Sequence, residues 1–375
     1  MRNKSLLTYA EKIESSIQNS ANHLIREHCR QEWRFIKENA LLRKLHNLHT
    51  LFLQLQQAEI PHVLHCAQAL TSTLFHHLGI IAPLPLKMDL NFKDWIRTRT
   101  PFLPCSVLVR SEDFDRIRSM PILSTHDTGS SRNRVSCTIR TALLTLERYH
   151  AEDPREYTVI PDIVFHFEPL FTTLCRCRTC FRNTVDIDTI LFSTISTPLF
   201  LPENRLLPVP LTEQQRQKLK QTPALSFQDF RNILLCPEDK LKSYPNSFFR
   251  DYPEPFLQNC CGFLEESRGV LLFKEQVIQL FQSLSLVSRQ RAEETVEEIL
   301  KEKELPLLRE VFLNGCIRNG LRRREAALIW NRLNMELPLT VARATSLPEH
   351  ILLWELLFFY NHNPETVLHL SAQSD

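Results

Sequence analysis

Six glycines in 375 residues close whole classes of fold and chemistry to this chain. A loop that cradles phosphate needs glycine, because its backbone amides must turn freely and approach the anion closely. The nearest glycine pairs, Gly262/Gly269 and Gly315/Gly320, are too far apart to build such a loop. Neither a P-loop nor a dinucleotide-binding fingerprint is present. The remaining composition, 43% hydrophobic and 23% charged, is that of a globular protein large enough for one big domain or two ordinary ones. A net charge of +2 exerts no global pull on nucleic acid, so any such binding must rest on a local patch.

Leu41, Leu45, Leu48, Phe52 and Leu55 recur at steps of three and four, the spacing of one buried helical face, and helix is expected across residues 1–58. A second helical segment is expected from Cys66 to Leu78. Residues 79–135 are rich in proline and turn formers, with short strand-like runs such as Ser106–Val109. Val159–Phe167 reads as a strand entered through Pro161. Thr197–Pro210 is a proline-punctuated connector that divides the chain into residues 1–204 and 205–375. From Thr212 onward helices dominate, interrupted at Pro237–Pro255 and again at Pro338. The expected fold class is α+β, mostly helical. Scattered cysteines, odd in number at eleven, are those of reduced intracellular thiols. Met1–Ala10 lacks a signal-peptide core, and the strongest apolar run, Ile351–Tyr360, is too short to span a bilayer. A cytoplasmic location without a membrane partner is expected.

Gly269-Val270-Leu271-Leu272-Phe273-Lys274-Glu275-Gln276-Val277 resembles the motif G-[IV]-[IM]-[LV]-Y-Q-E-Q-V in the fingers of the bacterial replicative DNA polymerase III alpha subunit. Val311-Phe312-Leu313-Asn314-Gly315 with Asn319-Gly320 resembles its V-F-x-x-G-x-x-x-N-G, and the register holds through Trp354 and Tyr360 to Pro364. Upstream, Trp33–Pro104 can be laid on the family's palm without a gap, Leu78-Gly79-Ile80 falling on L-G-I. Ile163–Leu174 resembles V-K-F-D-F-L-G-L-x-x-L, and Ser226-Phe227-Gln228-Asp229 the start of the helix before R-P-G-P. The resemblance implies a palm remnant within residues 1–204 and a helical fingers-like domain at 205–375.

The chemistry implied by the family does not follow the scaffold. Two-metal phosphoryl transfer needs carboxylates, since Mg²⁺ binds hard oxygen donors. The family's F-D-F is Phe165-His166-Phe167 here, and in a gapless register its other two carboxylate positions are Val107 and Val109. If residues after Pro104 belong instead to a later family strand, the catalytic strand is deleted; both registers remove the metal site. The G-R-G-S turn is His65-Cys66-Ala67-Gln68, the paired fingers arginines fall on Val296 and Glu297, and R-P-G-P falls near Glu238 and Asp239. F-N-K-S-H falls on Val341–Thr345, which keeps one positive charge, Arg343. No catalytic residue, cofactor or small-molecule substrate is expected. The resemblance points to a catalytically degenerate relative whose role is binding, to DNA or to a replication or repair protein. Two alternatives stand beside it: an active polymerase or nucleotidyltransferase with relocated carboxylates among Asp113, Asp115, Asp162 and Glu168, or an interaction protein no longer connected with DNA.

Other signals are weaker. Cys175, Cys177 and Cys180 form C-x-C-x-x-C with His166 nearby, a possible zinc donor set whose commoner reading is reduced core thiols. Arg322-Arg323-Arg324 opens a helix and could touch a phosphate backbone, as could Arg343. Gln282–Leu286 faintly resembles a sliding-clamp ligand but continues an apolar helical pattern. His166 is expected to be structural, with Val107 and Val109 as its neighbours on the adjacent strand.

Overall fold

The structure, a computed structural model, describes residues 2–67, 69–83, 85–88, 90, 92, 105–120, 123–126, 134–139, 163–167, 169–180, 187–196, 199–201, 211–241, 262–301 and 306–372. It is mostly helical with a few short strands, an α+β architecture. The chain forms two compact units, Met1–Ile190 with His362–Asp375, and Leu191–Asn361. Among the described residues no helix is long and apolar enough to cross a membrane.

The first unit opens with three helices, α1 (Arg2–Gln18), α2 (His23–Glu38) and α3 (Leu42–Gln57), where the sequence predicts helix throughout. Asn22 starts α2 by accepting from the amides of Leu24 and Ile25, which are otherwise unpaired at a helix start. Leu45, Leu48, Leu51, Phe52 and Leu55 form the buried face of α3. The predicted segment 66–78 is shorter than expected: a 3₁₀ turn at Ala69–Thr71 precedes α4 (Thr73–His77). Glu32, buried on α2, accepts from the Ser72 hydroxyl at 2.6 Å and from the amides of Thr73 and Leu74 at 2.8 and 3.1 Å. A carboxylate from one helix thus completes the first turn of another.

A five-stranded sheet follows, ordered β1 (His62–Leu64), β2 (Cys105–Val109), β5 (Ile163–Phe167), β4 (Arg134–Ile139), β3 (Leu123–His126). β2 and β5 are parallel and the other neighbours antiparallel. The short helix α5 (Phe114–Arg118) lies between β2 and β3 in the chain, and α6 (Pro169–Cys180) follows β5. The expected strands at 106–109 and 159–167 are present as β2 and β5, with residues 159–162 outside the described ones.

After α7 (Ile187–Phe192), the second unit begins with a two-stranded ladder, β6 (Thr194–Ser196) against β7 (Ala224–Ser226), with α8 (Glu213–Gln221) between them in sequence. Ser226 then caps α9 (Phe227–Leu235), as its place before an amphipathic helix predicts, and α10 (Glu238–Leu241) follows. The segment 269–364, expected to be almost wholly helical, is mainly so among its described residues: α11 (Lys274–Ser285), α12 (Arg289–Leu300), α13 (Pro306–Arg318), α14 (Arg323–Glu336) and α15 (Leu347–His362). Phe273, Val277, Leu280, Phe312, Ile329 and Trp354 are all buried, as their spacing predicts. Phe281, Phe312 and Trp330 stack mutually, with ring centroids 5.0 to 5.8 Å apart, and join α11, α13 and α14. The clamp-like peptide is part of this packing, since Leu284 is buried at the end of α11. The last helix, α16 (Pro364–Ala372), returns to the first unit and packs on α6, Arg176 donating to the Leu370 carbonyl.

Glycine scarcity has a visible effect on helix ends. α3 closes with a left-handed residue whose neighbour reaches back five positions: Ile60 N–H donates to Leu55 O and Glu59 N–H to Gln56 O. Glycine is favoured at this place, and Gly79 and Gly320 fill it after α4 and α13. At Ala40 and Glu59 side-chain-bearing residues take it instead, with φ of 55° and 53°.

Candidate functional site

The places where the family's chemistry would reside fall on β2 and β5. Their register is Cys105–Ile163, Ser106–Val164, Val107–Phe165, Leu108–His166 and Val109–Phe167. No position of either strand carries a carboxylate. Val107, Leu108 and Val109 are all buried, so this strand is covered on both faces. The register corrects one expectation: on β2 the partner of His166 is Leu108, and on β4 it is Arg134. Because successive strand residues alternate between faces, positions 107 and 109 belong to different rows from position 166. Val107 and Val109 pair instead with Phe165 and Phe167.

The relocated-carboxylate alternatives divide. Asp113 is buried and pairs with Arg110 Nε at 2.7 Å and Arg116 Nη1 at 2.8 Å, which occupies both of its oxygens. Asp115 is exposed. Asp162 and Glu168 lie outside the described residues.

The cysteines of the zinc candidate lie on α6. A step of two residues turns a helix by about 200°, so Cys175 and Cys177 leave it on nearly opposite sides. Both are buried, and Cys180 is exposed at the helix end. Among the described residues no group of three or more His, Cys, Asp or Glu is placed to hold a metal ion. The side chain of His166 lies outside the described ones.

The arginine candidates separate into two environments. Arg322, Arg323 and Arg324 are exposed at the start of α14, where the Arg322 amide donates to the Glu325 carboxylate at 2.8 Å. Arg323 makes a bidentate pair with Glu310 at 2.8 and 2.9 Å. Arg322 and Arg324 have no ion pair among the described residues, nor has Arg318, an exposed residue at the end of α13 that the sequence reading did not single out. Three cations thus flank one helix turn with their charge available to solvent.

Arg343, by contrast, is only 5% exposed. Its guanidinium donates to Glu266, and its amide donates to both Glu275 oxygens at 3.1 Å. Arg231, buried on α9, donates to the Arg343 carbonyl. Both guanidiniums stand over the Phe273 ring, with centroid distances of 4.7 Å for Arg231 and 5.7 Å for Arg343. Burial lowers Arg231 to about 10, against the opposing pull of Glu275. Burial, helped by the charge of Arg231, drives His350 down to about 3, so this imidazole is neutral. Gln276 completes the cluster. Its carbonyl accepts the amides of Leu272 and Phe273 at 3.0 Å, and its NH₂ donates to Phe263 O, Glu266 and Ser267 Oγ. In this arrangement Arg343 serves internal packing and is withdrawn from the surface.

The other positions aligned with the family's motifs are ordinary surface and core. Glu238 and Asp239 are exposed on α10, and Val296 is buried on α12. Compared with known proteins, the chain matches no family model and no curated protein sequence.

Proposed function

We propose that this chain is a non-catalytic relative of the bacterial replicative DNA polymerase III alpha subunit, with a binding role in DNA replication or repair. The observation that carries the reading is the pair β2 and β5, adjacent and parallel, without a carboxylate at any position. In-line phosphoryl transfer assisted by two cations has no carboxylate on these strands to hold them. The order of the family-like motifs along the chain supports descent, and the exposed arginines at the turn between α13 and α14 supply a local basic patch on a nearly neutral protein.

The test combines two assays on the purified chain. With primed template, all four nucleotides and Mg²⁺ or Mn²⁺, no extension above background is expected. His166→Asp alone restores none. Retardation of the same DNA should weaken as salt rises. Template-dependent synthesis that disappears on substituting Asp162 or Glu168 would overturn the non-catalytic reading, and absence of salt-dependent binding would turn the role away from DNA.

A further inference from the structure

In the first unit, α1 makes polar contact with three different helices. The Tyr9 hydroxyl lies 3.1 Å from His49 Nδ1 on α3, and Ser16 Oγ lies 2.9 Å from His77 Nε2 on α4. Between them, Glu14 accepts from the Trp33 indole at 2.9 Å and from Lys37 at 2.7 Å, both on α2. Ile13 and Ile17 supply the buried apolar side. Contact with two of the three helices therefore ends on imidazole, a group that changes charge near neutral pH.

Each of these imidazoles stands beside a second one. His46, one turn before His49 on α3, meets the Tyr9 ring edge-on at 4.6 Å, and His76 precedes His77 on α4. The nearby carboxylates are engaged elsewhere: Glu14 with Lys37 and Trp33, Glu32 with Ser72 and the amides that open α4. Neither His49 nor His77 has an ion pair with a carboxylate among the described residues. A proton added at either place meets partial burial and a like charge, with no counter-charge to receive it.

We propose that α1 is a proton-operated latch, docked on α3 and α4 while His49 and His77 are neutral and released when acidification charges these two rings. The sign follows from the direction of the shifts. Burial first, then the neighbouring histidine, lowers His49 and His77 below the ordinary histidine value. Docking is therefore at full strength above that value and is lost as pH falls below it. Lys37, followed by Trp33, holds Glu14 below the usual carboxylate range, so the α2 contact outlasts the other two as pH falls.

Hydrogen exchange of the whole chain, read by mass spectrometry at pH 7.5 and 5.5 with labelling times corrected for intrinsic rates, tests this. Peptides covering residues 6–18 should exchange several-fold faster at the lower pH, while α13 and α14 keep their protection. The double variant H49N/H77Q retains hydrogen-bonding groups without a titrating ring and should show a flat response in α1. Equal protection of α1 at the two pH values in the natural chain overturns the proposal. So does loss of protection in α1, α13 and α14 by one common factor, or a pH response of undiminished size in the double variant.

Discussion

Gly315 of α13 rests directly on the Ser285 backbone at the end of α11: a Cβ added there would meet the Ser285 Cα and carbonyl carbon at 2.6 Å. Asn319 secures the same junction by donating to Ser283 O at 2.9 Å. Backbone cannot yield as a flexible side chain would, so the helices must separate to admit a methyl group. Gly315→Ala should destabilise the protein by about 3 kcal/mol. A denaturant midpoint unchanged from the natural protein would show that the two helices tolerate that separation.

Glu59 offers the opposite change. It holds φ of 53° at the end of α3 with an exposed side chain, a conformation that costs an L-residue roughly 1 kcal/mol. Glu59→Gly should raise stability by up to about 1 kcal/mol, the larger freedom of glycine in the unfolded chain offsetting part of the gain. Thermal unfolding of the two proteins side by side reads this directly.

Burial raises Glu32 to about 7, outweighing the hydrogen bonds from Ser72, Thr73 and Leu74 that favour its charged form. The native state then keeps a proton that the unfolded chain releases near pH 4.5. Its contribution is full below that point and is lost as pH rises through about 7. Between pH 4.5 and 7.5 the natural protein should therefore lose stability relative to Glu32→Gln as pH increases. Parallel pH profiles for the two would rule out titration at Glu32.

The two arginine environments predict different losses. Arg322→Ala with Arg324→Ala should leave unfolding within about 0.5 kcal/mol of the natural protein. It should flatten the salt dependence of DNA binding by about 0.9 for each phosphate contact removed. Arg343→Ala should instead cost about 3 kcal/mol of stability, since it leaves Glu266 without its buried partner. A binding defect in the Arg343 variant at full stability would contradict its internal placement.

The helical half was readable because its apolar residues repeat at helical spacing and its caps are local. The residues that make the family-like motifs recognisable turn out to be packing and capping residues. Gln276 ties down a helix start, Gly315 permits a close approach, and Asn319 and Gly320 close α13. Such residues report on packing and say little about a role. The β2–β5 register escaped sequence reading because distant segments set it, and a shift of one residue exchanges the faces. Strands of three residues, β1, β6 and β7, are too short for alternation to show. Arg343 follows proline-containing chain and looks like surface; only the convergence of Phe273, Glu266 and Glu275 from elsewhere buries it.

The return of α16 to α6 sets an order on biosynthesis. Leu191–Asn361 is a continuous stretch with its own core, so it can fold as soon as it leaves the ribosome. The unit begun by α1 must wait, its helix α6 lacking the cover of α16 until residues 364–372 have been made. A chain cut short after residue 361 would have a finished second body and an unfinished first one, and that first body would be the part offered to chaperones and proteases.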